Sequence, residues 1–242
     1  MIKRLLLSII LLWSFIPLVF STSKLEDSNF ALSLELSSKY MWRGIEYGDA
    51  PVAFPMLSYC YKGFNAFAMG AYAFNGSHQE VDLGVSYLYR DFCIGLSDYY
   101  YPSSVGEKDS YFEFNNHLTG HSVEAYFTFA PQKIPLWLTL STYVYGADKK
   151  LDGSQAFSSY AEVGYTYNFN DNNALSLALG VNLNKSFYTD YKKEINVVNV
   201  TLKYATSFKF GNFKLPVSAS YIFNPSKEKS FFTFSLYFNS LT

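Results

Sequence analysis

His121, Ser122 and Glu124 crowd into one short stretch, and a histidine, a serine and an acid are the parts of a nucleophilic hydrolase. On an extended backbone alternate side chains point to opposite faces. Ser122 and Glu124 then share one face while His121 takes the other, so the trio reads as coincidence. His78 beside Glu80 and Asp82 reads as a solvated loop histidine. His117 and His121 share a strand face but stand about 13 Å apart at ~3.3 Å per residue, too far to hold one zinc. The chain shows no glycine-rich phosphate loop and no haem motif, so no cofactor and no enzyme activity are expected. Cys60 and Cys93 fall on polar strand faces with two strands between them. Neighbouring strands lie about 4.8 Å apart, which puts the two out of disulfide reach and predicts free thiols.

The remaining polar constellation is a set of charges assigned to one face of the strands: Glu35, Lys39, Arg43, Glu80, Asp82, Glu124, Glu162 and Lys203. Opposite signs predict pairing across an interior. Such a set either fills a narrow lumen or forms a constriction that favours cations.

The elements that position these charges follow from alternation. Leu175, Leu177, Leu179, Val181 and Leu183 interleave with Ser176, Ala178, Gly180, Asn182 and Asn184. One face is fit for hydrocarbon and the other for water. The pattern recurs along the chain, mostly between tight polar turns such as Lys62-Gly63, Arg90-Asp91, Asn170-Asp171-Asn172-Asn173 and Gly211-Asn212. It predicts an all-β fold: a transmembrane antiparallel up-and-down β-barrel of about twelve strands, with short periplasmic turns and longer extracellular loops. The first strand is expected from Asn29 to Trp42, followed by a loop from Gly44 to Ala50. Tyr40 and Trp42 are expected outward in an aromatic girdle, Val198 outward, and Pro216 at a bulge. The longest loop runs from Tyr99 to Thr119, with Tyr111 to Leu118 as an extended hairpin arm, and it is one candidate for a plug.

Composition agrees. Aromatic residues make up 20% of the chain, with 22 Tyr and 23 Phe, while charged residues make up only 16%. A soluble β-sandwich carries many Lys and Glu outward, whereas the polar faces here hold mostly Ser, Gly, Ala, Thr, Asn and Tyr. Lys3 and Arg4 precede an apolar run from Leu5 to Phe20, and Ser21, Thr22 and Ser23 follow. This order predicts a signal peptide over residues 1–22 and a barrel domain over residues 23–242. Setting Lys3 and Arg4 aside leaves 17 basic residues against 20 acidic ones, a formal charge of −3, with no basic face for nucleic acid.

The stretch Ser38-Lys39-Tyr40-Met41-Trp42-Arg43-Gly44-Ile45, followed by Pro51 and Pro55, resembles the opening of the uncharacterised outer-membrane family of the Gcw_chp type. Asp98-Tyr99-Tyr100-Tyr101-Pro102 is similar to the same family, and the resemblance covers about residues 36 to 102. It implies an outer-membrane barrel and brings no activity. The expected function is a narrow, porin-like passive channel for small hydrophilic solutes in a bacterial outer membrane. The alternatives are a non-conducting structural or loop-presenting barrel and, last, an outer-membrane hydrolase. Expected partners are outer-membrane lipid, small hydrophilic solutes and, during biogenesis, periplasmic chaperones and the barrel-assembly machinery.

Overall fold

Two-residue periodicity gives each strand one apolar and one polar edge, and closing the sheet lets every strand turn the apolar edge the same way. The computed structural model describes residues 29–102, 110–211 and 213–239. The signal peptide expected over residues 1–22 lies outside them. In chain order the strands are β1 (Asn29–Ser37), β2 (Tyr40–Trp42), β3 (Ile45–Gly48), β4 (Val52–Tyr61), β5 (Phe64–Ala73), β6 (Gln79–Tyr89) and β7 (Phe92–Tyr100). They continue as β8 (His121–Phe129), β9 (Leu136–Gly146), β10 (Ser159–Asn170), β11 (Asn173–Asn182), β12 (Asn196–Phe210), β13 (Phe213–Asn224) and β14 (Lys229–Asn239). Twelve of them close an antiparallel barrel in sequence order, with β1 joining β14 on one side and β4 on the other. The two short strands β2 and β3 pair only with each other.

The outward face is apolar and meets no protein. Leu32, Leu57, Leu83, Leu96, Leu177 and Phe234 are all exposed, while inward Ser58, Ser97, Thr128, Ser141 and Ser176 are buried. Only hydrocarbon satisfies such a belt, and the strands, at 9 to 15 residues, are long enough to cross it when tilted. Turns are short at one end; Lys62 and Gly63, for instance, both adopt positive φ (47° and 87°), as two-residue hairpins favour. Loops are longer at the other end. A lipid-facing closed barrel built this way is an outer-membrane protein, with the longer loops extracellular.

Several local expectations need correction. The first strand stops at Ser37 because Ser38 leaves the ladder. Its amide still bonds the Phe234 carbonyl (2.8 Å), and its hydroxyl accepts the Phe234 amide (3.0 Å), so the backbone is free to turn inward. The Gly44–Ala50 loop contains β3. Val198 is fully buried, because the β11–β12 register slips beside it and rotates it inside. Pro216 needs no bulge, since β13 begins pairing with β14 only at Val217. Tyr111 to Leu118 form turns rather than an extended arm, and Tyr111 and Phe114 lay their rings on His121 at 5.0 and 4.7 Å.

Candidate functional site in the barrel lumen

The short hairpin of β2 and β3 enters the lumen, tip first. Its turn is Arg43-Gly44, both at positive φ (48° and 78°). Gly44 is required for two reasons: the left-handed backbone, and the space. A Cβ on Gly44 would lie 2.1 Å from the Val198 carbonyl oxygen of β12. The tip is also tied to the wall by Asn224, whose side-chain amide donates to the Gly44 carbonyl at 3.1 Å.

From that tip Arg43 reaches across the barrel. Its Nη1 and Nη2 donate to Glu124 of β8 at 2.6 and 3.0 Å, a two-point pairing between side chains that are both essentially unexposed. Nη1 also donates to the Tyr188 hydroxyl at 2.5 Å. Tyr188 sits on the 3₁₀ turn Phe187–Thr189 that follows β11. Burial pushes its phenol far up from the usual value, so it accepts as a neutral hydroxyl. The guanidinium lies 4.5 Å from the ring centres of both Trp42 and Tyr160. Tyr99 completes the acid's shell, its hydroxyl donating to Glu124 at 3.1 Å.

Tyr40 and Trp42 are therefore not girdle residues. Each is only 3% exposed, with Tyr40 edge-on to Phe54 (5.2 Å) and Trp42 edge-on to Tyr99 (5.7 Å). His78 is not a solvated loop histidine either. Its Nε2 meets Glu80 at 2.9 Å, and Tyr40 and Tyr101 enclose its ring.

The other expected lumen residues separate into engaged and unengaged groups. Glu162 accepts from Asn199 at 2.7 Å and from Tyr160. Lys39 pairs with Glu46 of the same hairpin near the mouth. Lys203 donates to Tyr237 at 3.2 Å, and Glu35 stands beside both. Asp82 is 1% exposed and stands beside the Glu80 carboxyl, and no N–H or hydroxyl donor among the described residues reaches either of its oxygens. Arg43–Glu124 is the pairing across the interior that opposite charges led one to expect.

Bulky and small side chains divide the lumen wall. Phe67, Tyr126, Trp137 and Tyr160 each lie flat over a glycine of the adjacent strand: Gly84, Gly95, Gly164 and Gly180. On β1 and β12 to β14 most inward residues are small, Glu35, Lys203, Ile222 and Tyr237 apart, and a cavity of about 110 Å³ opens between that wall and the hairpin.

Hydrolytic chemistry finds no assembly. His121 lies on the outer face, its Nδ1 2.7 Å from Asp98 and its Nε2 2.6 Å from the Tyr111 carbonyl, while Ser122 points inward. Both ring nitrogens are occupied. Cys60 and Cys93 are free thiols. No group of metal-binding side chains occurs among the described residues.

Sequence reasoning missed Tyr99, Tyr160, Tyr188, Asn199 and Asn224 as partners of the hairpin. The available signal was Arg43-Gly44, a two-residue hairpin-turn pattern just past the expected end of the first strand, with Trp42 before it and Tyr47 after.

The fold and this lumen define an occluded outer-membrane β-barrel, twelve strands around an inserted hairpin. No protein-family model matches the chain, and no curated protein matches it. Among solved structures it is similar to a KdgM porin in complex with disordered oligogalacturonate (13% identity, 89% of this chain and 99% of that one, TM-score 0.49). It is also similar to an outer-membrane channel from Pseudomonas putida F1 (10% identity, 88% and 95%, TM-score 0.44). A third similarity is to the translocator domain of the autotransporter NalP from Neisseria meningitidis (10% identity, 89% and 88%, TM-score 0.38). Similarities of this size, all below a TM-score of 0.5, define neither a family nor a function for the chain.

Proposed function

We propose that this protein is a narrow outer-membrane channel for small hydrophilic solutes, held shut by the Tyr40–Gly48 hairpin. The observation that supports it is the nature of the block. The lumen is closed by a loop segment fastened through Arg43–Glu124, Arg43–Tyr188 and Asn224–Gly44, and not by wall side chains alone. Side-chain fastenings can exchange partners with water, so a segment held this way can withdraw while the barrel stays closed.

Planar-bilayer recording tests the reading. The wild type is expected to conduct rarely, and Arg43→Ala or removal of residues 40–48 is expected to give frequent conductance steps. Silence from all three at every voltage would reject it. The second reading, a non-conducting barrel that presents its loops, then gains ground. It is favoured by Phe112 and Leu118, which stand 82% and 71% exposed on the extracellular side.

A further inference from the structure

The small-residue wall has a chemistry of its own. Across β12, β13 and β14, Lys203 pairs in register with Ser220, which pairs with Thr233. One level nearer the periplasm Ser218 pairs with Ser235, which pairs with Ser37 of β1. These hydroxyls line the cavity of about 110 Å³. At about 30 Å³ of liquid volume per water, it holds roughly four waters.

The geometry points to this lane as a binding site and passage for uncharged polyhydroxylated solutes, that is polyols and monosaccharides. A hydroxyl can donate one hydrogen bond and accept others, which matches a solute whose every carbon carries the same group. Ser37 already donates to the Phe234 carbonyl (3.3 Å), Ser218 shares a bond with the Tyr237 hydroxyl (3.0 Å) and Ser235 bonds Glu35, so Ser220 and Thr233 are the hydroxyls best placed to meet a solute. Four charged side chains line the cavity: Lys39 and Arg43 are paired with Glu46 and Glu124, and Glu35 stands beside Lys203, so each charge here has an opposite one next to it. The acids that would attract a cation lie elsewhere: Glu80, Glu124 and Glu162 are engaged by His78, Arg43 and Asn199. The lane therefore suits a neutral solute better than an ion. Phe54 and the Tyr237 ring supply flat apolar surface for C–H faces at its edges. Met41, Arg43 and Gly44 of the hairpin bound the cavity on its inner side, so passage through it follows withdrawal of the hairpin. As a passage, this deepens the channel reading and rests on it; as a binding site, it does not.

The test uses the full mature chain, with two readouts. In proteoliposomes, swelling rates are compared for glycerol, erythritol, ribitol and glucose, and for size-matched charged amino acids. In detergent, ribitol and glucose binding is measured by calorimetry. The variants are a hydroxyl-free wall (Ser220→Ala, Thr233→Val and Ser235→Ala together) and a filled lane (Ser220→Phe), each checked for heat-modifiable folding. Polyol affinity is expected to fall at least tenfold in the hydroxyl-free variant, which stays folded. Ser220→Phe is expected to stop polyol swelling. Unchanged affinity and swelling in the hydroxyl-free variant would overturn the proposal even if Ser220→Phe fails to fold. Conductance with no preference for neutral polyols would overturn it while leaving the channel reading intact. Polyol binding without conductance or swelling would overturn the channel reading and keep the site.

Discussion

Arg43 and Glu124 are 81 residues apart and share one buried pairing. Removing one partner of such a pair strands the other charge, at a cost of about 3–5 kcal/mol. Glu124→Gln is therefore expected to lower the urea midpoint of the barrel in vesicles, read by heat-modifiable mobility. Asp82 should behave in the opposite way. Its carboxylate is buried beside the Glu80 carboxyl, with no N–H or hydroxyl donor among the described residues reaching it, so neutralising it removes a desolvation cost. Asp82→Asn is expected to leave the midpoint unchanged or higher, and a drop would show that the carboxylate is engaged after all. The two acids look alike in the sequence, each at an inward position of an alternating strand. What separates them is whether a cation from another element arrives opposite, and that is set by the path of the inserted hairpin.

At the scale of elements, the hairpin and the aromatic wall make separate predictions. Gly44→Ala puts a methyl into the Val198 carbonyl and forces a strained left-handed backbone. It is expected to undock the tip, with Trp42 emission in a Trp137→Phe background shifting to the red and becoming open to iodide quenching. Unchanged emission would mean the tip is held from elsewhere. Gly164 is different, since its partner is a ring and not a turn. A Cβ there would lie 2.3 Å from Trp137 ring atoms, and an indole packed on a strand yields little. Gly164→Ala is expected to cost about 1–3 kcal/mol in urea unfolding, as overpacking does. In the sequence Gly164 interrupts an alternating strand, which marks close approach without saying to what, whereas Gly44 reads only as the start of a loop. The twelve barrel strands were legible because each carries a run of alternation. The β2–β3 hairpin was not, because Tyr40 and Trp42 keep the phase of β1, with Ser38 the one polar break between them.

At the scale of the whole molecule, the outward belt decides where the protein resides. Leu177 is 53% exposed near the middle of β11. Leu177→Arg is expected to destabilise the barrel in vesicles by about 2–4 kcal/mol, the cost of a cation near the bilayer midplane. An insensitive barrel would show that this face meets water. The amino-acid sequence by itself determined the strand count, the two faces, the closed antiparallel order and the membrane setting, because two-residue periodicity is a local property and apolar stripes repeated on every strand have one economical burial. It also assigned the eight charges to the polar face. Only the tertiary structure decided that the lumen is occluded, by which segment, and along which wall space remains. Period-two alternation assigns a side chain to a face but cannot tell a strand in the wall from a hairpin turned into the lumen. That choice rests on Glu124, Tyr188, Val198 and Asn224, contributed by strands and turns that meet Arg43 and Gly44 only once the barrel has closed.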